Sequence, residues 1–581
     1  MKYLFSYDST SQQFIDIEFT VENVNSDELM FQLPAWRPGR YELANFAKNI
    51  CKWNAYDGEN KPLEFQKVNK DLWKVKSKGV HTVVVKYSYY AAELNAGSTW
   101  LDEHQLYVNP VNCCFFVPDR MNEPCLIELK IPANYKVASG LKSIDRTKLR
   151  ANNFQQLADS PFIASDTLQH NFFVYEGIEF HIWMQGIKNP DWAKLFSDFF
   201  IFVNEQYSLF KGFPVEDYHF IFQILPYQTY HGVEHENSTV IALGPVYDIF
   251  EDKLYNELLG ISSHELFHTW NIKNIRPQEM LPYDFSKENY SKLGFVAEGF
   301  TTYYGDLMLF RSRIFSEDEF FKTFNQQLKK HFDNPGRFNY SVTQSSFDTW
   351  LDGYVQGIPN RKVSIYTEGC LIAFMLDVII RRASENNKSL DNVMQILYND
   401  FGKKGIGYTE KDIYEIISLV AGRPMDDFIN QYAYSTIDFK PMLVECLEYL
   451  GLTITEHETG KFHETYLGFK CSEEGDKAIV KAIYPNSPAD NALLIINDQI
   501  VAINGIRLNN NLDEWFKYYA KGNIAEIRLT VFSALRQKEI IVNIRSNKSC
   551  YFKSYSLKKL VPLTTSMETS FKLWAGLPVH L

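Results

Sequence analysis

The chain has 581 residues, of which 45% are hydrophobic and 15% aromatic, enough for roughly three or four domains with sizeable cores. Its formal net charge of -12 at pH 7 argues against nucleic acid and anionic membrane surfaces as partners. The start, MKYLFSYDSTSQQF, lacks the apolar segment of a signal peptide, and no run of eighteen apolar residues predicts a transmembrane helix. The eight cysteines show no C-x-x-C spacing and favour buried thiols in a reducing compartment, so we expect a cytoplasmic protein.

Residues 1–165 have the pattern of a β-sandwich. In FIDIEFTVENV (14–24) apolar and polar residues alternate with a period of two, and TVVVKYSYY (82–90) behaves alike. Between them, LPAWRPGRYELANFAKN (33–49) contains prolines and a glycine that favour an irregular loop. We interpret this loop as a packed corner of the domain, with a role in covering a pocket as the second interpretation.

From residue 166 the pattern becomes mixed. FHIWMQG (180–186) and YHFIFQILP (218–226) predict strands, and residues 191–210 predict a helix with apolar side chains at three- and four-residue steps. YHGVEHENSTVIALG (230–244) then predicts an edge strand or the loop leading from one. An α/β domain is therefore expected here.

The following segment, SSHELFHTWNIKNIRP, contains the most informative motif of the chain. His264 and His268 lie one turn apart on a helix predicted over 252–273, with Glu265 beside the first histidine. Two neutral imidazoles at this spacing can bind one zinc ion, and the glutamate can act on a metal-bound water. The alternative is an ordinary helix whose two histidines are satisfied by neighbouring groups.

A second helix, predicted over 288–312, carries Glu298 in a largely apolar stretch. A buried carboxylate needs a partner, or it costs several kcal/mol. Zinc is one such partner, because two histidines and this glutamate would leave a fourth position for water. The alternative is a salt bridge, for instance to Lys273, Arg276 or Arg311.

The rest of the chain is predicted to be helical and then β-rich. Residues 315–445 show helical periodicity, interrupted by a long connection at 334–362 of a length that is often functional, for example in lining a cleft. After about residue 455, short strands and two short helices form a module of about ninety residues, which a tail from 549 follows. The predicted fold class is multidomain α+β.

These motifs resemble the glycyl aminopeptidase family, family 61 of the metallopeptidases, in which a thermolysin-like zinc domain is coupled to a PDZ domain. The resemblance rests on LPAWRPGRY, HGVEHENST, SHELFHTWNIKNIRP, AEGFTTYYGD and SIYTEGCLIAFMLDVIIR, and, for the PDZ-like part, on YLGF and INDQIVAING. It implies a β-sandwich (1–165), a thermolysin-like catalytic domain (166–330), a helical domain completing the active-site cleft (331–450), a PDZ-like domain (455–548) and a tail (549–581).

The resemblance also implies roles for individual residues. His264, His268 and Glu298 would hold one zinc ion, with Glu265 as general base and proton shuttle. Tyr366 would hydrogen-bond the oxyanion, although from the residues alone it could equally be a core tyrosine at a helix start.

Two further residues are implied in substrate binding. Gly232 would lie on a strand that pairs with the peptide, and Glu234 would capture its free α-amino group. Without the resemblance, Glu234 is one acidic residue in a polar stretch, and a solvated carboxylate is the alternative.

The chain departs from the family pattern at several positions. His231 stands where a second glycine is usual, Asn274 replaces an arginine, and Glu368 replaces a lysine two residues after Tyr366. In the PDZ-like part, Leu494 and Asn497 occupy positions where glycines are common, which puts its peptide groove in doubt.

We therefore expect a zinc-dependent aminopeptidase that acts on peptides with a free N-terminus and prefers small first residues such as glycine and alanine. One alternative is a zinc endopeptidase. The other is a PDZ-type peptide-binding protein with a non-catalytic zinc site, whose PDZ-like domain takes a peptide or a C-terminal tail. Nucleic acid and membranes are not expected as partners.

Overall fold

The computed structural model describes residues 1–354, 357–522, 524–543 and 549–578. Its strands are β1 (Lys2–Ser6), β2 (Phe14–Glu22), β3 (Glu28–Gln32), β4 (Ile50–Asp57), β5 (Phe65–Lys67), β6 (Leu72–Lys76), β7 (Thr82–Tyr90), β8 (Trp100–Leu101), β9 (Gln105–Val108), β10 (Cys125–Leu129), β11 (Lys136–Ser139), β12 (Lys142–Asp145), β13 (Lys148–Ala151), β14 (Phe162–Ser165), β15 (Gln169–Tyr175), β16 (Ile178–Gln185), β17 (Asp217–Ile224), β18 (Thr229–Glu234), β19 (Ser238–Gly244), β20 (Leu452–Glu458), β21 (Phe469–Glu474), β22 (Lys477–Ile483), β23 (Gln499–Ile503), β24 (Ile506–Arg507), β25 (Glu526–Ser533), β26 (Arg536–Asn543) and β27 (Lys553–Lys559).

Its α-helices are α1 (Pro110–Cys113), α2 (Phe154–Ala158), α3 (Trp192–Phe210), α4 (Asp252–Phe267), α5 (Thr301–Arg311), α6 (Glu317–Phe332), α7 (Val342–Phe347), α8 (Thr349–Asp352), α9 (Ile365–Ala383), α10 (Leu390–Asp400), α11 (Glu410–Ala421), α12 (Asp426–Tyr432), α13 (Lys440–Tyr449), α14 (Pro488–Asn491), α15 (Leu512–Lys521) and α16 (Thr565–Trp574). No helix in the described part of the chain combines the length and the apolar character needed to cross a membrane.

The chain divides into two units. The first comprises Met1–Phe315, Ser346–Val355 and Lys388–Pro424, and the second comprises Ser316–Ser345, Gln356–Asn387 and Met425–Leu581. Sheets and helices occur in both, which confirms the predicted multidomain α+β class. The division into five consecutive domains stays a prediction.

Three sheets build the N-terminal part of the first unit. Seven strands pair in the order β12-β13-β10-β1-β2-β7-β4, four in the order β11-β14-β9-β8, and three in the order β3-β6-β5. Strand β2 shows why the alternating pattern works, because every second residue from Ile15 to Val21 is buried and the residues between them are half-buried. The buried faces of these strands enclose one large apolar core.

A five-stranded sheet follows, in the order β15-β16-β17-β19-β18. Its central strands β16, β17 and β19 are parallel, whereas β15 and β18 are antiparallel strands at the two edges. Helix α3 connects β16 to β17, as expected for a parallel crossover. The segment 230–244, predicted as an edge strand or the loop leading from one, forms the edge strand β18 and then the inner strand β19, which pairs with it.

Two helices near the predicted zinc motif differ from their predicted bounds. Helix α4 ends at Phe267 rather than at residue 273, because the backbone turns after His268 and Ile272 adopts a φ of 106°. The helix predicted over 288–312 instead begins with a π-helical turn, Phe295–Phe300, and continues as α5.

The second unit combines helices with two further sheets. Strand β20 pairs with β27, and a second sheet has the order β21-β22-β23-β25-β26, with β24 beside β23. The segment predicted to be PDZ-like forms this second sheet with α14 and α15, and its PDZ assignment stays a prediction. Leu494 is buried in its core, and Asn497 adopts a φ of 73°, which asparagine tolerates better than most residues.

The residues predicted as a C-terminal tail contain strand β27 and helix α16. Trp574, at the end of α16, is buried and contacts the rings of Phe320 and Phe374 in the same unit. An aromatic side chain of this size contributes a large apolar area to a core. This contact explains why the segment is ordered although its periodicity is weak.

Candidate metal and peptide-binding site

Helix α4 carries the histidine pair. His264 lies in its last turn and His268 at its C-terminus, so both rings face the same side, with their Nε2 atoms 3.1 Å apart. Gly305 of α5 lets the second helix approach this turn, because a Cβ there would lie 3.1 Å from the Cα atom of His264. The close packing of α4 and α5 therefore depends on a residue without a side chain.

Glu298 reaches the histidines from the π-helical turn Phe295–Phe300. Its Oε2 lies 3.4 Å from His268 Nε2, and His264, His268 and Glu298 each offer one ligand atom within 4.8 Å of the others. Asn271 holds the turn, because its Nδ2 donates to two carbonyl oxygens of the turn at 2.9 and 3.2 Å. Such π-helical turns are frequent at functional sites.

The hydrogen bond of His268 selects one tautomer of the neutral ring. Its Nδ1 lies 2.9 Å from the backbone carbonyl oxygen of Asn271, which can only accept, so Nδ1–H is the donor. Nε2, which faces His264 and Glu298, then carries the lone pair. Metal-binding histidines commonly make this kind of bond through their second nitrogen.

The buried carboxylates around the histidines fit a divalent cation. Glu234, Glu265 and Glu298 each have one buried carboxylate oxygen that receives no hydrogen bond from the described residues. Uncompensated buried carboxylates are costly, and a bound cation would offset this cost. Two histidines and a glutamate form a zinc ligand set that leaves a coordination position free for water.

The salt bridges considered for Glu298 are absent among the described residues, where its ion-pair partner is His268. The three cations are engaged elsewhere: Lys273 with Asp159 at 3.0 Å, Arg311 with Asp391 at 2.9 Å, and Arg276 with the carbonyl oxygens of Ile272 and Lys273 at 3.0 Å.

Burial and crowding shift the proton affinities in this cluster. Burial raises the pKa of Glu265, and the carboxylates of Glu234 and Glu298 raise it further. Burial lowers the pKa of His264. Burial also lowers the pKa of His268, but the Glu298 carboxylate outweighs this effect and raises the pKa overall. A bound divalent cation would favour ionised carboxylates and neutral imidazoles.

Strand β18 brings Gly232 and Glu234 to the same place. Gly232 lies so close to Glu265 that a Cβ would overlap its Oε1 atom. The His235 N–H donates to the Ser238 carbonyl at 2.9 Å, and hydrogen-bonded pairs alternate along an antiparallel ladder. Gly232 and Glu234 therefore present their backbone N–H and C=O groups to the outer edge of β18, which pairs with no other described strand.

The loop 33–49 packs against Glu234. Gly39 has a φ of 79°, which favours glycine, and a Cβ there would overlap Oε2 of Glu234. Trp36 anchors the loop, because it is fully buried and its Nε1 donates to the Asp284 carbonyl at 2.7 Å. The loop is thus a packed corner that also covers the candidate site. The sequence predicted an irregular loop from Pro38 and Gly39, but not the contact of Gly39 with Glu234.

Two family models match the chain. A model described as the Peptidase M61 N-terminal domain matches residues 2–166, and one described as M61 glycyl aminopeptidase matches residues 257–372, which include the histidine pair and Glu298. These matches confirm the resemblance to the M61 glycyl aminopeptidase family. The chain is a zinc metallopeptidase of the aminopeptidase type.

Solved structures are similar to the chain as well. An aminopeptidase N family protein from Idiomarina loihiensis is 26% identical, and the match covers 99% of each chain with a TM-score of 0.89. An M1 zinc metallopeptidase from Deinococcus radiodurans is 12% identical, with 75% of this chain and 94% of that chain covered and a TM-score of 0.46. A mutant of it bound to a Tyr-Ser-Ala substrate is 12% identical, with 74% and 92% covered and a TM-score of 0.45. No curated protein gives a significant match.

His231, which stands where the M61 peptidases usually have glycine, does not crowd the site. Side chains alternate along a strand, so His231 faces away from the side on which Gly232 meets Glu265. Its Nε2 lies 3.5 Å from Nη2 of Arg37. Burial, with Arg37 and Arg40, lowers the pKa of His231 to about 3, so the ring is neutral and can accept from Arg37.

A buried network links the end of β18 to the segment after α4, and sequence reasoning missed it. Asp159 accepts from His235 Nδ1 at 3.0 Å and pairs with Lys273 Nζ at 3.0 Å. The Lys273 N–H in turn donates to the His268 carbonyl at 3.1 Å. The network therefore fixes the residue after Glu234 relative to the residues after the histidine pair.

The remaining predicted residue, Tyr366, lies in the second unit. It is the half-buried second residue of α9, and its role at the oxyanion stays a prediction. Glu368 is buried and accepts from His331 Nδ1 at 2.7 and 2.9 Å, so its charge has a partner within that unit. Asn274, the other departure, donates to the Thr269 carbonyl at 2.7 Å and closes the turn after α4.

Proposed function

We propose that this chain is a zinc-dependent aminopeptidase that hydrolyses the N-terminal peptide bond of peptides and prefers small first residues such as glycine and alanine. One observation carries the proposal: His264, His268, Glu298 and Glu265 converge beside the open edge strand that ends at Glu234. Metal ligands, a base, a peptide-pairing edge and a group for the α-amine are thus adjacent.

In this function, His264, His268 and Glu298 hold the zinc ion, which supplies Lewis-acid polarisation of the scissile carbonyl and acidification of water. Glu265 lies next to this group and has one oxygen without a protein partner. Its carboxylate takes the proton of the attacking water and then gives a proton to the leaving amine. The backbone carbonyl oxygen of Asn271 accepts from His268 Nδ1–H and so directs His268 Nε2 towards the metal position. Tyr366, by the family resemblance, donates to the oxyanion.

The edge of β18 supports binding of an extended peptide. Gly232 offers its backbone N–H and C=O groups to a strand added at this edge, and its lack of a side chain leaves room for Glu265. Glu234 is 4% exposed and has one oxygen without a partner among the described residues, so it suits a substrate ammonium group. This anchor favours an aminopeptidase over an endopeptidase.

Two observations support the preference for small first residues. The matching family model describes glycyl aminopeptidases. The loop around Gly39 also packs directly on Glu234, which restricts the space beside the α-amino group.

The test compares the p-nitroanilides of glycine and alanine with an N-acetylated peptide, before and after chelation and with zinc added back. We expect zinc-restored cleavage of the free-amine substrates only. Glu234→Ala should then lower activity on free amines, whereas Glu236→Ala, which removes an exposed carboxylate two residues away, serves as the matched control. Cleavage of the blocked peptide would favour an endopeptidase, and no cleavage by the zinc-loaded protein would refute the proposal.

A further inference from the structure

A buried arginine next to the peptide-binding strand has no carboxylate partner. Arg37 is 6% exposed, and no acidic side chain among the described residues lies within ion-pair distance of it. Its hydrogen bonds are long: Nη1 is 3.4 Å from the Pro38 carbonyl oxygen, and Nη2 is 3.5 Å from His231 Nε2. Normal N–H donors lie about 2.7–3.2 Å from their acceptors. The guanidinium therefore retains unused donor capacity although it is almost fully desolvated.

Arg37 lines a cavity of about 240 Å³ in the first unit. Gly97 lies on the cavity wall, and a Cβ at this position would overlap the Arg37 guanidinium, so the glycine leaves room for it. Among the other charged residues of the wall, Arg40 pairs with Glu42, Glu93 accepts from an asparagine amide, and Lys48 is exposed to solvent. Arg37 is thus a buried cation at this cavity that forms no direct ion pair with the described residues, although the more distant Glu234 carboxylate favours its charged form.

Arg37 connects this cavity to strand β18. Arg37 contacts His231, three residues before Glu234 on β18. At about 3.3 Å per residue, this is a distance of about 10 Å along the strand. An extended peptide spans at most about 3.3–3.6 Å per residue, so a di- or tripeptide with its amine at Glu234 would end near the level of His231. Glu265 meets Gly232, which lies between Glu234 and His231 on the strand, so a peptide whose first bond is cleaved runs from Glu234 in this direction.

We propose that Arg37 and its cavity form a carboxylate-binding site that takes the C-terminal carboxylate of a di- or tripeptide held along β18, or the carboxylate of a free amino acid. A planar guanidinium matches a carboxylate with two parallel hydrogen bonds, and a desolvated setting strengthens the pair. That the carboxylate belongs to a peptide rests on the proposed aminopeptidase function, whereas the existence of a carboxylate-binding site does not. The enzyme would then favour very short peptides over long ones.

The first experiment measures binding and requires no hydrolysis. Zinc-loaded wild-type protein is titrated calorimetrically with N-acetylglycine and with N-acetylglycinamide, which differ only in the carboxylate and have no free amine for Glu234. We expect the acid to bind at least tenfold more tightly than the amide, and Arg37→Gln to abolish this difference. Equal binding of acid and amide would overturn the proposal. Binding of the acid that is unchanged in Arg37→Gln would overturn it as well, because the acid would then bind at the metal instead.

The second experiment identifies the source of the carboxylate. Hydrolysis of glycylglycine is compared with that of glycylglycinamide, which offers the same amine and the same scissile bond. A kcat/KM at least tenfold higher for the acid, lost in Arg37→Gln, assigns the site to the peptide C-terminus. A ratio near one, together with Arg37-dependent binding of N-acetylglycine, assigns it to free amino acids. If neither dipeptide is hydrolysed, the proposed function fails while the titration still decides whether the site exists.

Two further variants test the site if Arg37→Gln does not fold. Arg37→Lys keeps the charge but loses the planar fork, so part of the acid preference should return. Gly97→Ala keeps Arg37 but places a methyl group where its guanidinium lies, and it should weaken binding of the acid. Full acid preference in the Gly97→Ala protein would count against this location of the site.

Discussion

Gly232 and Glu265 are in such close contact that position 232 cannot carry a side chain without displacing the glutamate carboxylate. Since Gly232 has an ordinary strand conformation, the constraint is spatial. We expect Gly232→Ala to push Glu265 away from the histidines and lower kcat at least tenfold, with little change in bound zinc. Steady-state kinetics and metal analysis of the same sample measure both quantities.

A glycine of the same region provides the control. Gly260 lies inside α4, and a Cβ there would meet no atom within 4 Å. Gly260→Ala should therefore leave kcat unchanged and stabilise the helix by about 0.5–1 kcal/mol. Equal activity of the two alanine variants would show that the contact between Gly232 and Glu265 has no catalytic consequence.

Glu265 itself can be tested with a nearly isosteric change. Glu265→Gln removes the proton acceptor but none of the three proposed zinc ligands. We expect zinc to remain bound while kcat falls by about 100- to 10,000-fold, the usual contribution of a general base. Near-normal turnover by this variant would exclude the proposed role of Glu265.

The parts of this site that periodicity encodes could be predicted. The histidine pair repeats with the period of a helix, and β16 and β17 are segments of strand length rich in aromatic and aliphatic residues, so both can be recognised in a single sequence. The π-helical turn that carries Glu298 could not be predicted, because one extra residue in a turn hardly changes an apolar pattern. The end of α4 was also hidden, since Asn271 ends the helix region through tertiary hydrogen bonds to the π-helical turn.

Contacts between distant segments could not be predicted from the sequence, for a different reason. Asp159 and Lys273 are 114 residues apart, and no sequence pattern pairs them. The position of Gly39 on Glu234 likewise depends on how a loop of the N-terminal part packs against β18. Such pairs form only when the sheets are assembled. The sequence therefore offered a pocket-covering role for the loop of Arg37 and Gly39 only as a second interpretation, and it gave no indication for Asp159.

Zinc binding should raise the thermal stability of the protein. Glu298 has a buried oxygen without a protein partner, so the metal-free wild type contains an uncompensated carboxylate. We expect Glu298→Gln to be at least as stable as wild type without metal, but to gain much less stability when zinc is added. A ligand at 100 times its Kd stabilises by about 2.7 kcal/mol, which thermal unfolding with and without zinc can resolve.

Glu265→Gln is the matched control for this measurement, because the substituted residue is adjacent but lies outside the proposed ligand set. It should retain the full rise of Tm with zinc. Equal zinc stabilisation of the wild type and Glu298→Gln would rule out Glu298 as a ligand.

The histidines on β15, β16 and β17 should make the protein sensitive to acid. His181 Nδ1 lies 3.0 Å from His170 Nε2, and its ring stacks on His219 with centroids 4.4 Å apart. Burial and His219 lower the pKa of His181 to about 4, against the opposing carboxylates of Glu179 and Asp217. Burial, with His181 and His219, also lowers the pKa of His170 to about 4. The folded cluster therefore resists protonation.

The sign of the effect follows from proton linkage. An unfolded histidine has a pKa of about 6.5, so between about pH 6.5 and 4 the unfolded chain binds protons that folded His181 does not. Stability from this residue is complete above about pH 6.5 and is lost as pH falls to about 4, by at most about 1.4 kcal/mol per pH unit. We expect His181→Gln to show a smaller fall in Tm between pH 7 and pH 5 than the wild type. His104→Gln, whose side chain is 59% exposed, should keep the wild-type fall, and equal acid sensitivity of all three proteins would contradict the prediction.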